Sequence, residues 1–129
     1  MDLIIPQRET LEIEFKSDEK KLHDNELIDA VVAFANTNGG DLYLGVEDDG
    51  RITGLHPDHR DGTQLSAFIA NKTIPPVSVR VETIRAEKPI LVIHVPQSRS
   101  IVASSSGKIQ RRRIKADGRS EEHTSELQS

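Results

Sequence analysis

Ala33-Phe34-Ala35-Asn36-Thr37-Asn38-Gly39-Gly40 runs directly into Asp41-Leu42-Tyr43-Leu44-Gly45-Val46-Glu47-Asp48-Asp49-Gly50. The first half reads as the end of an apolar helix and the second as a strand with a tight corner between them. Upstream, Asp24 is a good N-cap and Glu26 suits the first turn. Leu27, Ile28, Val31, Val32 and Ala35 then recur at helical spacing and give one apolar stripe. Asn36, Gly39 and Gly40 form a structural corner, because Asn and Gly tolerate the left-handed backbone that ends a helix. Downstream, Leu42, Leu44 and Val46 alternate as a strand. Asp48-Asp49-Gly50 reads as a hairpin turn and Ile52 opens the return strand.

Working outward, residues 1–9 read as an extended lead-in, and residues 10–16 alternate as a half-buried strand with Leu11, Ile13 and Phe15 on one face. Residues 17–23 and 55–63 read as loops. Leu65, Phe68 and Ile69 predict a second helix, stopped before Pro75-Pro76. Val77, Val79 and Val81 predict a strand, and the unbroken apolar run Ile90 to Val95 predicts a buried one. Residues 97–106 are a Ser-rich polar loop, and residues 107–114 make a final basic strand. The order β-α-β-β-α-β-β-β predicts an α+β fold, with two helices packed on a mixed, mainly antiparallel sheet of about six strands.

The chain has 129 residues, which suits one domain. Cysteine is absent, which excludes disulfides and thiolate metal sites and points to a reducing compartment. No apolar run approaches the roughly 18 residues of a membrane span, and no signal peptide is visible, so the expectation is a cytoplasmic protein with no membrane partner. The formal charge of −4 does not by itself suggest a nucleic-acid binder. Its distribution matters more, because Lys108, Arg111, Arg112, Arg113 and Lys115 form one basic block.

Residues 119–129, Arg-Ser-Glu-Glu-His-Thr-Ser-Glu-Leu-Gln-Ser, look like the in-frame translation of a common short-read sequencing adapter. They are read as a non-native, disordered tail, which makes residues 1–118 the natural domain, and the natural protein is expected to continue beyond Gly118. Removing the tail takes away one Arg and three Glu and leaves a formal charge of −2.

The combination of Glu9, Glu14-Phe15-Lys16, the block from Ala33 to Gly40, Leu44-Gly45-Val46-Glu47-Asp48 and Ile52-Thr53-Gly54-Leu55 resembles the Schlafen/AlbA-like DNA-binding domain family. The resemblance covers about residues 7–115, and its Asn-Thr-x-Gly-Gly block is its specific part. It implies nucleic-acid binding. In bacteria, similar domains often stand at the N-terminus of transcriptional regulators or of proteins labelled RecG-like helicases, whose ATP-binding parts would belong to the full-length protein only. In animal Schlafen proteins, similar domains form an RNA-cleaving unit.

Lys108, Arg111, Arg112, Arg113 and Lys115 are therefore the candidate phosphate contacts. On an extended strand Arg111 and Arg113 face one way and Arg112 the other. Family matching also points to Glu9, Glu14 and Asp48 as a candidate acidic cluster that would hold Mg or Mn, with Lys16 stabilising anionic charge. Strand parity separates Glu9 from Glu14 unless the chain bends before Thr10. The Gly39-Gly40 corner follows a helix C-terminus, whose dipole has the wrong sign for an anion, and no Walker-type motif occurs. His56 and His59 read as solvated loop residues, and His94 as a satisfied residue of an apolar strand. Of the aromatics Phe15, Phe34, Tyr43 and Phe68, three fall at core positions, so base stacking is not expected to dominate.

Three readings follow. The first is a nucleic-acid-binding module, DNA before RNA, that needs no cofactor and belongs to a larger regulator or helicase-like protein. The second is a ribonuclease dependent on Mg or Mn. The third is a protein-interaction or assembly domain, a possible homodimer, favoured if an exposed sheet edge pairs between chains.

Overall fold

The computed structural model describes residues 5–59, 62–114 and 120–126. Helix α1 spans Asp24–Ala35, and the corner closes it as the residues predict. Asn36 N donates to Val32 O, while Thr37 N and Gly39 N both donate to Phe34 O. The last helical carbonyls are thus satisfied, and Gly39 (φ 72°) turns the chain out. Gly40 (φ 152°) has no room for a side chain, since an added Cβ would overlap the Glu12 carbonyl and the Phe34 ring. His23, rather than Asp24, occupies the N-cap, and it makes no side-chain capping bond.

Strand β1 (Ile13–Lys16) lies parallel to β2 (Gly40–Leu44), an arrangement that needs a crossover, and α1 supplies it. Helix α2 spans Leu65–Asn71, and β3 is the short strand Thr73–Ile74. Strand β4 (Arg80–Arg85) pairs antiparallel with β5 (Pro89–Val95), which pairs antiparallel with β2. The main sheet therefore has the order β1-β2-β5-β4. Strand β6 (Ala103–Ser104) pairs with β3, and β7 (Lys108–Ile114) with β8 (Ser120–Glu126). The fold is α+β, two helices with a mixed four-stranded sheet and smaller two-stranded ones.

The apolar run of β5 is explained by its central place, because both of its faces are covered. Leu91, Ile93 and Val95 join Leu42, Leu44, Leu27, Val31, Phe34, Leu65 and Ile69 on the helix side. Ile90 and Val92 join Phe15, Tyr43, Val46 and Ile84 on the other. Phe15 meets Tyr43 edge-on, with ring centres 6.0 Å apart.

Several boundaries differ from the sequence expectation: Ile52 makes only an isolated bridge to Val46, and the loop expected over 97–106 contains β6. The strand expected over 10–16 starts at Ile13, because a tight turn at Leu11–Glu12 joins Thr10 to Ile13. The strand expected at Val77 to Val81 starts at Arg80. Val77 is instead anchored by its N–H to Thr73 Oγ1, a tertiary bond that alternation does not reveal. Residues 120–126, expected to be unstructured, lie along β7, whose free edge offers them a ladder. No helix among the described residues is long and apolar enough to cross a membrane.

Candidate nucleic-acid interface

Strand β7 is fastened to the end of α1 by two adjacent side chains. Asn36 Nδ2 donates to Val102 O (2.7 Å) and Gln110 O (2.9 Å), while its Oδ1 accepts from Val102 N (2.7 Å). Thr37 Oγ1 donates to Ala33 O and accepts from Arg112 N, both at 2.9 Å. The Asn-Thr pair therefore caps the helix and carries the basic strand.

That attachment sorts the basic residues by strand alternation. Gln110 and Arg112 turn inward and are buried, and Arg111 on the other face is exposed. Lys108 shares the parity of Gln110 and Arg112 and is exposed because it stands at the start of the strand. Arg112 is an internal strut and does not stand with a phosphate-facing row. Its Nη1 donates to Glu14 Oε2 (2.7 Å), its Nε to Leu11 O (2.8 Å) and its Nη2 to Thr10 O (3.1 Å). The guanidinium also sits 4.3 Å from the centre of the Phe34 ring. A run of arginines read from sequence as one block is thus divided by the pleat. Arg113 follows in β7, and Lys115 lies outside the described residues.

Among the candidate carboxylates, Glu14 and Asp48 lie near enough to Glu9 to act on its charge. The turn at Leu11–Glu12 folds Glu9 back so that its Oε1 accepts from Phe15 N (2.9 Å), with the bend falling just after Thr10. Half-burial raises the Glu9 pKa above its ordinary value. Glu14 and Asp48 push it the same way, against the Phe15 N–H and Arg112. Glu14 is held by Arg112 and has Lys16 Nζ 3.7 Å from its Oε1. Asp48 is exposed in the turn after Val46. Among the described residues no group of three His, Cys, Asp or Glu is placed to hold a metal ion. Glu14 is spent on two cations, so the trio as arranged does not fit Mg or Mn, and no catalytic step through a metal follows from it.

A family model described as Schlafen, AlbA_2 matches residues 9–124, from the first of these carboxylates past the basic strand. The chain belongs to this family. Among solved structures, the Schlafen, AlbA_2 chain is similar to the DIP2311 protein from Corynebacterium diphtheriae, at 23% identity and a TM-score of 0.63. That match covers 80% of this chain and only 23% of DIP2311, so the chain spans about a quarter of that protein's length. It is also similar to the N-terminal domain of a RecG-related, candidate ATP-dependent DNA helicase from Nitrosomonas europaea. There the identity is 25% and the TM-score 0.59, over 74% of this chain and 71% of that one. No curated protein matches the chain.

Two polar clusters of this Schlafen, AlbA_2 domain escaped the sequence reading. Asp18 is fully buried and accepts from Leu22 N (2.8 Å), His56 N (2.8 Å) and His59 Nδ1 (2.9 Å). His59, expected in solvent, is buried against it and ties residues 55–59 to the segment before α1. The signal available in sequence was only an isolated Asp in a charged loop. His94 Nδ1 lies 2.7 Å from Asp41 Oδ1, its cross-strand neighbour. Its Nε2 stands 3.1 Å from Glu82 Oε1, within ion-pair distance but without hydrogen-bond alignment.

Proposed function

We propose that the chain is a nucleic-acid-binding domain that holds a sugar-phosphate backbone through the cations of β7, with DNA favoured over RNA. The observation that carries this reading is the exposure of Lys108 at the start of β7 and of Arg111 on its outer face, neither of which has an ion-pair partner among the described residues. Arg112, bonded on the inner face, fastens the strand from which Arg111 turns outward. Arg113 and Lys115 continue the same basic run. Family membership and the likeness to a domain from a helicase-related protein support the reading. Contacts of this kind are sequence-tolerant and governed by counterion release. In the cell the domain would serve as the N-terminal part of a bacterial transcriptional regulator or helicase-like protein in the cytoplasm.

A salt titration tests it. Binding to a DNA duplex should weaken steeply between low and physiological salt. Arg111→Ala and Lys108→Ala should each flatten the log–log slope by about one unit. Affinity that ignores salt, or that survives both changes together, sinks the reading.

The ribonuclease reading has one observation in its favour, the electrostatic influence of Glu14 and Asp48 on Glu9, and one against, the engagement of Glu14 by Arg112. Its clean test is Asp48→Ala, an exposed position, assayed for cleavage of structured RNA in Mg and in Mn. Cleavage abolished by that change revives the reading, and absence of product with the unmodified chain ends it.

A further inference from the structure

A groove of about 390 Å³ opens at the Lys108 end of β7, between the start of α1, the end of α2 and the turn joining β6 to β7. Its apolar floor is Ile28 and Phe68, of which Ile28 is buried and Phe68 half-buried against the core. One wall carries Lys72 and Lys108 with Ser105 and Ser106, all four exposed. The other carries Asp24, Asn25 and Asp29.

The turn is held in place by bonds that leave these groups facing outward. Ser105 N donates to Lys72 O (2.9 Å), and Gly107 N donates to Ser104 O (2.8 Å). Ser104 Oγ accepts from Lys108 N (3.2 Å) and lies 2.8 Å from Ser106 Oγ. Gly107 has φ 88° with nothing near the position of a Cβ, so the turn is open on that side. Neither lysine has an ion-pair partner among the described residues.

We propose that this groove takes one unpaired nucleotide of a single-stranded nucleic acid. The inference rests on the backbone-binding reading above and extends it from phosphate contact to a base-sized subsite. Three features argue for that occupant. Lys108 belongs both to the basic strand and to the groove, about 10 Å along β7 from Arg111, whose side chain leaves the other face of the pleat. A phosphate held by Lys108 therefore lies at the mouth of the groove. Lys72 and Lys108 suit a phosphate at the rim, while the flat ring of Phe68 offers a stacking face. Asp24, Asn25 and Asp29 supply acceptors for the amino and ring N–H groups of a base edge, which a bare phosphate would not need. From sequence, stacking is not expected to dominate, because three of the four aromatics fall at core positions. The fold leaves that ring partly uncovered.

The experiment compares Phe68→Leu, Lys72→Ala and the unmodified chain by fluorescence anisotropy. The probes are labelled 12-nucleotide single strands of DNA and of RNA, and a DNA duplex. Leu keeps an apolar side chain against the core and removes the aromatic face, and the exposed Lys72 side chain makes no hydrogen bond or ion pair among the described residues. Each change should weaken single-strand binding by about tenfold and leave duplex binding within twofold. A loss in one single-strand arm alone identifies DNA or RNA as the source and supports the subsite. Single-strand affinities unchanged in both variants, or falling equally with the duplex, overturn the groove while the phosphate reading stands. An unmodified chain that binds none of the three probes overturns both.

Discussion

Arg112 Nη1 donates to Glu14 Oε2 across 2.7 Å, joining the middle of the basic block to the middle of the carboxylate group. The two candidate sites are therefore one electrostatic unit. Arg112 neutralises the acid that a metal would need, and the acid holds back the arginine that a phosphate would meet. The Arg112 side chain is fully enclosed and that of Glu14 nearly so. Breaking such a pair leaves an uncompensated charge. Arg112→Ala should cost about 3 kcal/mol or more, and the Arg112→Ala/Glu14→Ala double variant clearly less than the sum of the single changes. Urea unfolding of the four chains measures this, and strict additivity would refute the coupling.

Asn36 makes three hydrogen bonds from one side chain to two segments more than sixty positions away in sequence. Asn36→Ala orphans buried backbone groups at Val102 and Gln110 and should cost about 2–3 kcal/mol. Hydrogen exchange at the Val102 amide should quicken well before that of α1. Exchange that quickens uniformly would show that Asn36 does not act locally.

Glu9 carries a raised pKa through half-burial, so ionising it opposes folding. Its folded value lies above its unfolded one. Its contribution is therefore most favourable below the ordinary carboxylate value and is lost as pH rises through the folded value. Glu9→Gln retains an acceptor for Phe15 N and does not titrate. The variant should gain stability relative to the parent as pH rises from about 3.5 to 7, with the gap opening just above the ordinary carboxylate pKa. A gap that stays flat, or moves the other way, contradicts the assignment.

The register of β8 sets Glu126, Glu122 and Glu121 opposite Lys108, Arg112 and Arg113. If residues 119–129 are foreign, ending the chain at Gly118 should tighten DNA binding several-fold at low salt, because a net charge of −2 leaves the neighbourhood of β7. Protection of the Arg112 amide should persist, since Thr37 Oγ1 holds it independently of β8. Loss of that protection would make β8 an integral strand.

Helix α1, the corner at Asn36 to Gly40 and β5 were legible because each is written in local order: an apolar stripe at helical period, residues tolerant of left-handed backbone, an unbroken apolar run. The start of β4 was not, since valines at 77, 79 and 81 alternate equally well whether or not a neighbour strand stands beside them. Buried His59 was hidden for the same reason, its partner Asp18 being 41 positions away.

The amino-acid order alone determined the types of the main helices and strands, the family likeness and the existence of a basic strand late in the chain, because periodicity and turn chemistry act over a few residues. Only the tertiary structure decided which cations remain available. The pleat of β7, fastened by Asn36 and Thr37, sends Arg112 into a pocket of carbonyls, Glu14 and the Phe34 ring, and turns Arg111 outward. A charge meets water or protein according to what packs beside it, and those neighbours come from about a hundred residues away along the chain.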